Sequence, residues 1–286
     1  MAPHPDPAAI NFTSKLHNDT YDFVAKSDHK AQTVFISGAS KGIGRETALS
    51  FARAGAATII IAARSTLDSL ESEIQTISPS TKVVKLKVDV SSQEDVDAVA
   101  TQTKSQVSSI DILFNNAGYL EKFTPIGESD PAEWTKTWDV NVKGLYLVTR
   151  AFLPLVLASK LKTVINVSSV GAHRSRLGAS GYQTTKLAVL RLTEFLNIDH
   201  GEQGLLAYAV HPGGVLTDLS KNMPKAAHSI LIDTPQLCGD TVSWLTQERR
   251  EWLAGRYVSV NWDMQQLLAK KDEIVADDKL KMRIVI

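Results

Sequence analysis

The fold is decided by Thr33–Gly55, TVFISGASKGIGRETALSFARAG. A short apolar, β-branched run ends at Ser37, and a turn carrying Gly38, Gly42 and Gly44 follows. Ile43, Thr47, Ala48, Phe51 and Ala52 then recur at helical spacing until Gly55 stops the run. A strand handing over to a helix through such a turn lets backbone amides at the helix start approach a pyrophosphate. A glycine-rich turn alone is weak evidence. Its place after a first buried strand and before an Ala-rich helix strengthens it.

The same alternation continues outward. ATIIIAA at 57–63 is a near-continuous β-branched run, the mark of a strand buried on both faces. Helical LDSLESEIQTI, strand KVVKLKVDV, helical SQEDVDAVATQTKSQV and strand IDILFN come next, then a long helical region from about Pro131 to Ala158. Strand TVINVSS, a helix from about residue 179 to 200, and strand LLAYAVH complete the rhythm. Buried strands alternating with helices specify a single-domain α/β fold: a Rossmann-type three-layer sandwich with a doubly wound, mainly parallel sheet. After His211 the rhythm breaks into a long Pro/Gly-punctuated connection, followed by a helix at Pro235–Thr246 and a short strand in RYVSV. Residues 1–30 read as an arm draped over the body or over a neighbouring subunit, in part disordered, and 31–286 as one domain. Removing residues 1–20 is then expected to leave the fold intact.

Composition narrows the function. The 286 residues are 43% hydrophobic and 22% charged, with 31 basic and 31 acidic side chains. That balance leaves no electrostatic footprint for nucleic acid or an anionic membrane. Cys238 is the single cysteine, so neither an internal disulfide nor a Cys-based zinc site is expected. The histidines are scattered, and no metal site is expected. MAPHPDPAAI lacks the pattern of a secretory signal, and no apolar run approaches the ~18 residues of a membrane span, so a cytoplasmic protein is expected.

Three further stretches carry chemistry. The tip of the second strand, IIIAARS, offers Arg64 and Ser65 where an acidic residue would hold a ribose 2′-hydroxyl, and no acid occurs between Glu46 and Asp68. Arg64 suits a 2′-phosphate, and Lys41 adds a second cation, so both favour NADP(H); a solvated loop arginine is the plainer alternative. NNAG at 115–118 fits either ligand contacts at a strand's carboxyl end or a helix N-cap with a turn glycine. Asp89 could cap the next helix or accept from an adenine amine. Finally, GYQTTKLAVL places Tyr182 and Lys186 one helical turn apart. An ammonium one turn away would lower the phenol's pKa and equip Tyr182 for general acid–base work.

Together these residues resemble the short-chain dehydrogenase/reductase family over roughly Thr33 to Val260, in the manner of fungal NADPH-dependent ketoreductases. The matching motifs are S-G-x-x-x-G-I-G at 37–44, D-V at 89–90, N-N-A-G at 115–118, N-V-x-G at 141–144, S-S-V-G at 168–171, Y-x-x-x-K at 182–186 and PGGVLT at 212–217. The resemblance implies a catalytic set of Asn141, Ser169, Tyr182 and Lys186. Tyr182 would be the proton donor and Ser169, favoured over Ser168 by its spacing, the hydrogen-bond donor to the substrate oxygen. Lys186 would tune Tyr182 and hold the nicotinamide ribose, and Asn141 would hold a relay water. The implied cofactor-binding set is Gly38, Ser40, Lys41, Gly42, Ile43, Gly44, Arg64, Ser65, Asp89, Val90, Asn116, Ala117, Gly118, Arg150, Tyr182, Lys186, Pro212, Gly213, Val215 and Thr217. The implied activity is reversible reduction of a ketone or aldehyde by NADP(H) in secondary metabolism. Homodimers or homotetramers through helices 131–158 and 179–200 are implied as well.

Rival readings are weaker. A serine hydrolase would want G-x-S-x-G, and the serines here sit in NVSSVG. An NAD-linked alcohol dehydrogenase lacks its acid at residue 64, and a non-catalytic NADP-binding regulator would not need the full Asn-Ser-Tyr-Lys set. The 218–234 connection is expected to cap a mostly apolar substrate pocket, with Leu216, Leu219, Met223 and Ile230 available to line it. His173 and His228 could line that pocket or face solvent.

Overall fold

A computed structural model describes residues 8–284. In chain order the main elements are β1 (Thr33–Ser37), α1 (Gly42–Arg53), β2 (Thr58–Ala63), α2 (Asp68–Ile77), β3 (Lys82–Lys87), α3 (Gln93–Lys104) and β4 (Ile112–Asn115). They continue with α4 (Pro131–Trp138), α5 (Leu145–Leu157), β5 (Thr163–Val167), α6 (Ser180–His200) and β6 (Leu206–His211). The chain then forms α7 (Pro235–Thr246), β7 (Tyr257–Ser259), α8 (Met264–Ala269) and α9 (Lys271–Ala276). The seven strands make one sheet in the order β3-β2-β1-β4-β5-β6-β7, and every pairing is parallel. The order reverses between β1 and β4, so a crevice opens at their carboxyl ends.

Alternation along the strands fills two cores. Val34 and Ile36 of β1 and Ile59 and Ile61 of β2 face the layer of α1 and α7, where Phe51, Leu237 and Val242 are fully buried. Phe35 and Ile60 face the opposite layer and meet Val96 of α3 and Phe152 of α5, with the Phe35 and Phe152 rings 4.4 Å apart. Both faces covered is the condition under which a parallel sheet tolerates apolar runs such as Thr58–Ala63, all six residues of which are buried.

One expectation changes here. The helical region from Pro131 is not one α-helix. It holds a π-helical turn at Asp139–Gly144 between α4 and α5, and such wide turns concentrate at functional sites. The continuous run Pro131–Leu157 is long and apolar enough to cross a membrane by length and composition, although no bare apolar stretch suggested it. In the fold it lies against the sheet, with Val140, Leu147, Val148 and Phe152 buried in the core.

From Ala8 onward the arm is bound to the carboxyl-terminal part of the chain; residues 1–7 lie outside the described residues. The His17 backbone N–H donates to the Asn261 carbonyl at 2.8 Å, and Asn261 Nδ2 returns a bond to the His17 carbonyl. Trp262 Nε1 donates to the Ala9 carbonyl at 3.0 Å and its ring packs near Phe12, while the Thr20 hydroxyl donates to Asp240. Val24 and His29 are completely buried. The arm is thus draped over the body, and deleting residues 1–20 would expose Trp262 and strip partners from Asn261 and Asp240.

Candidate active site

The glycine turn fits a dinucleotide pyrophosphate. Gly38 has φ +65°, and a Cβ there would lie 2.8 Å from Cα of Ala117. One at Gly44 would overlap the Gly38 carbonyl, so only glycine allows this close passage. Lys41, the N-cap of α1, makes no side-chain capping bond, which leaves the helix's first N–H groups for a ligand. The Ser37 hydroxyl accepts from the backbone N–H groups of Asn116 and Ala117, and Asn116 Nδ2 donates to the Ser37 and Gly38 carbonyls. NNAG thus staples the end of β4 to the turn and starts no helix. Val90 packs where a Cβ on Gly144 would stand, 2.9 Å away.

At the tip of β2, Arg64 and Ser65 are exposed, and Arg64 lies 3.8 Å from the Asp89 carboxylate. Asp89 does not cap α3. Ser92 does so, accepting from the Asp95 N–H, while Asp89 accepts from the N–H and hydroxyl of Ser91. Burial and these bonds act in opposite senses on Asp89, and the bonds with Arg64 leave its pKa lowered. Lys41 pairs with Asp218 at 2.8 Å, bridging the glycine turn to the 218–234 connection. Ser40 and Gly42 complete the turn, and Thr217 lies against Gly42. Arg150 is exposed on α5 and joins none of these groups.

The reacting end sits beyond β5. The Ser169 hydroxyl lies beside the Tyr182 phenol, whose pKa it lowers, and accepts from the Gly171 N–H at 3.0 Å. Ser168 turns away into the core and donates to the Lys186 carbonyl at 2.8 Å, which separates the two serines. Lys186 is buried, donates to the Val167 carbonyl at 2.8 Å, and lies 5.5 Å from the Tyr182 ring centre. The π turn aims Asn141 inward. Its Nδ2 donates to the Tyr119 carbonyl and the Thr185 hydroxyl, and its Oδ1 accepts from the Tyr119 N–H. One side chain therefore joins the loop after β4, near Gly118, to the start of α6.

The electrostatics depart from the sequence expectation. Burial pushes the Tyr182 phenol up to about 12, Ser169 opposes this, and the Glu121 carboxylate adds to it. Burial lowers Lys186 to about 8. The chain by itself holds a neutral phenol beside a weakened ammonium and does not depress the phenol's pKa, because desolvation outweighs the opposing influence of Ser169.

Two residues escaped the sequence reading. Glu121 is buried and caps α6 from outside: Oε1 accepts from the Tyr182 N–H at 2.9 Å and Oε2 from the Thr137 hydroxyl at 2.6 Å. No motif marks it, since it lies sixty-one residues from its partner. His211, at the end of β6, lines the cavity that Tyr182 and Ser169 face, and burial lowers its pKa to about 4. A histidine directly before PGG was the available signal. His173 and His228 are not on that wall; His173 packs edge-on against Tyr257, and His228 contacts the Met223 carbonyl at 3.2 Å.

That cavity is about 720 Å³. Ile43, Pro212, Gly213, Val215 and Thr217 line it near the glycine turn, and Leu219, Met223 and Ile230 line it as well. Leu216 is exposed and takes no part, a correction to the expected lining. Gly213, at φ +86°, lies so close to Asp233 that a Cβ would stand 2.8 Å from its carboxylate.

Comparison with known proteins agrees with this geometry. The family model of the short chain dehydrogenases matches residues 32–228. The chain is 48% identical to the short chain dehydrogenase mpl6 of Monascus purpureus, over 99% of both chains. It is 40% identical to the short chain dehydrogenase pigC of Monascus ruber, over 98% of this chain and 95% of the relative. Among solved structures, a 3-ketoacyl-(acyl-carrier-protein) reductase from Brucella melitensis complexed with NADH aligns with TM-score 0.73 at 27% identity, covering 82% of this chain and 98% of that one. A putative short chain dehydrogenase from Escherichia coli complexed with NADPH aligns with TM-score 0.73 at 25% identity, over 84% and 99%. With its glycine turn, Ser-Tyr-Lys cluster and all-parallel sheet, the chain belongs to the short-chain dehydrogenase family of nicotinamide-dependent oxidoreductases.

Proposed function

We infer that the protein is an NADP(H)-dependent carbonyl reductase acting on a ketone or aldehyde of secondary metabolism. The observation that carries this is that Tyr182 and Ser169 together line, with Lys186 buried beside them, a mostly apolar cavity that Ile43 of the glycine turn also lines. When bound, the cofactor supplies the hydride. Tyr182 donates the proton that the substrate oxygen needs as negative charge develops there. Ser169 donates a hydrogen bond to the same oxygen. Lys186, fixed by the Val167 carbonyl, holds the cation beside the phenol, and Asn141 keeps the Tyr119 loop against α6. The gap between a phenol near 12 and the working pH is closed by cationic charge beside it, to which an oxidised nicotinamide contributes.

The phosphate preference rests on Arg64, exposed at the tip of β2 with no acid in the ribose position. Fluorescence titration with NADPH and with NADH tests it. NADPH should bind the wild-type chain more tightly, and Arg64→Asp should weaken NADPH by about 10–100-fold, the worth of one or two charge-assisted bonds, with little effect on NADH. Equal loss for both cofactors would point to the NAD-linked reading. Assembly as a homodimer or homotetramer goes with the exposed Tyr146 on α5 and Leu187, Phe195 and Ile198 on α6. Sedimentation checks that assembly, and a fluorescent fusion checks a cytoplasmic location.

A further inference from the structure

The stretch that matches the family at large runs from residue 32 to 228, yet much of the cavity wall comes from elsewhere in the chain. Ile10, Leu16 and Asn18 of the arm line the cavity that holds Tyr182 and Ser169, as do Asp233 and Asn261. The solved relatives, matched over nearly their whole length, cover about four-fifths of this chain. The Monascus relatives align over its whole length. The arm is therefore shared with the second group and precedes the part of the chain common to the family.

The arm is fixed where it meets the cavity. Leu16 bridges Trp262 in antiparallel register, and Trp262 Nε1 also donates to the Ile10 carbonyl at 3.2 Å. Asn18 Nδ2 donates to Asp233 Oδ1 at 2.5 Å. Asp233 Oδ2 accepts from the Gly214 N–H at 2.5 Å and from Asn261 Nδ2 at 2.9 Å. Both carboxylate oxygens are thus consumed in tying three things together: the arm, the Pro212–Gly214 turn and the end of β7. An exposed arm would not need a carboxylate clamp at the cavity's edge. The arm lines the cavity with the aliphatic Ile10 and Leu16 and the polar Asn18, and Leu219, Met223 and Ile230 add further apolar lining.

We propose that residues 10–18 form the specificity-determining wall of the substrate site, with Leu16 and Ile10 as its contact residues and a bulky, largely apolar carbonyl compound as its substrate class. This rests on the carbonyl-reductase reading. Ile43, Val215 and Thr217 would hold the cofactor's reacting end, and the arm residues Ile10 and Leu16 line the rest of the cavity. On this proposal a fused-ring ketone held at Tyr182 reaches Leu16, and a single-ring ketone does not.

The test compares cyclohexanone with 2-decalone on the full chain with NADPH. The wild-type protein should favour 2-decalone in kcat/KM. Leu16→Trp, which fills the wall, should lower the 2-decalone to cyclohexanone ratio by tenfold or more, and Ile10→Ala should raise it. Melting temperature and NADPH affinity, measured on each variant, show whether the fold and cofactor site survive. Ratios within twofold of wild type in both variants would overturn the proposal. If the wild-type chain binds NADPH but reduces neither ketone, the carbonyl-reductase reading fails. Saturation-transfer NMR of the same ketones on the NADP⁺-loaded chain then reads the wall directly: Leu16→Trp must lose contact with 2-decalone selectively, and an unchanged signal sinks the proposal.

Discussion

The two sides of the cavity are built in different ways. On the glycine-turn side, neighbouring βα units meet through backbone groups and short side chains: Ser37 with Asn116 and Ala117, Gly38 against Ala117, Thr217 against Gly42. On the far side, the wall is assembled from the two ends of the chain. Asn18 reaches Asp233 across 215 residues, and Asn261 reaches His17 across 244. The first side has little freedom, because a Cβ at Gly38 or Gly44 would collide with backbone. The second side is anchored by its backbone but lines the cavity with side chains, where one aliphatic residue can replace another at modest cost. A constant chemistry on one side and an adjustable shape on the other is what a family with many substrates would require.

The contrast can be broken at three strengths. The largest effect should come from the chemical side. Tyr182→Phe removes the proposed proton donor and should lower kcat by about 10²–10⁴-fold, the usual worth of general acid catalysis, with NADPH affinity nearly unchanged. Retention of most activity in steady-state assays would show that another group donates the proton. Next comes the clamp between the sides. Asp233→Ala removes three hydrogen bonds at once and leaves Gly214, Asn18 and Asn261 without their acceptor. A loss of about 2–3 kcal/mol is expected in chemical denaturation, since each bond contributes about 1 kcal/mol net. An unaltered midpoint would mean that the arm's other contacts, with Trp262, Asn261 and Asp240 among them, suffice to hold it.

The smallest effect concerns Glu121, which sharpens the comparison because it acts on the chemistry from outside the motifs. The Tyr182 phenol stands near 12 in the folded chain, against ~10 in an unfolded one. A raised folded value adds stability below pH ~10, and that contribution is lost as the pH rises from about 10 to about 12. Glu121→Gln keeps an acceptor for the Tyr182 N–H but removes the negative charge that holds the phenol up. The Tyr182 titration, followed by NMR of ¹³C-labelled tyrosine, should move to lower pH by less than about one unit. A shift upward would show that the carboxylate acts only as a cap on α6.

Much of the first side was legible in the sequence, because its determinants are local. Strand, glycine turn and helix succeed one another within Thr33–Gly55, and Tyr182 and Lys186 are one turn apart. The π turn was not legible. Asp139–Gly144 carries ordinary helical residues, and the extra residue in the turn is imposed by the bonds of Asn141 to Tyr119 and Thr185. The pKa of Tyr182 also escaped, because the lysine's proximity is visible in the spacing while the burial that outweighs it is not. Leu216 read as a pocket residue on composition, yet the turn at Pro212–Gly214 sends it to solvent and brings Leu219 in.

By itself the sequence determined the parallel α/β architecture, the glycine turn at the end of β1, and the identity of the Ser-Tyr-Lys cluster, since each follows from residue type at short spacing. Only the tertiary structure decided that Ser168 turns into the core, that Glu121 caps α6, and that the arm lines the cavity. Those three depend on segments brought together by burial of the two cores, and contacts between distant segments leave no period in the chain to read.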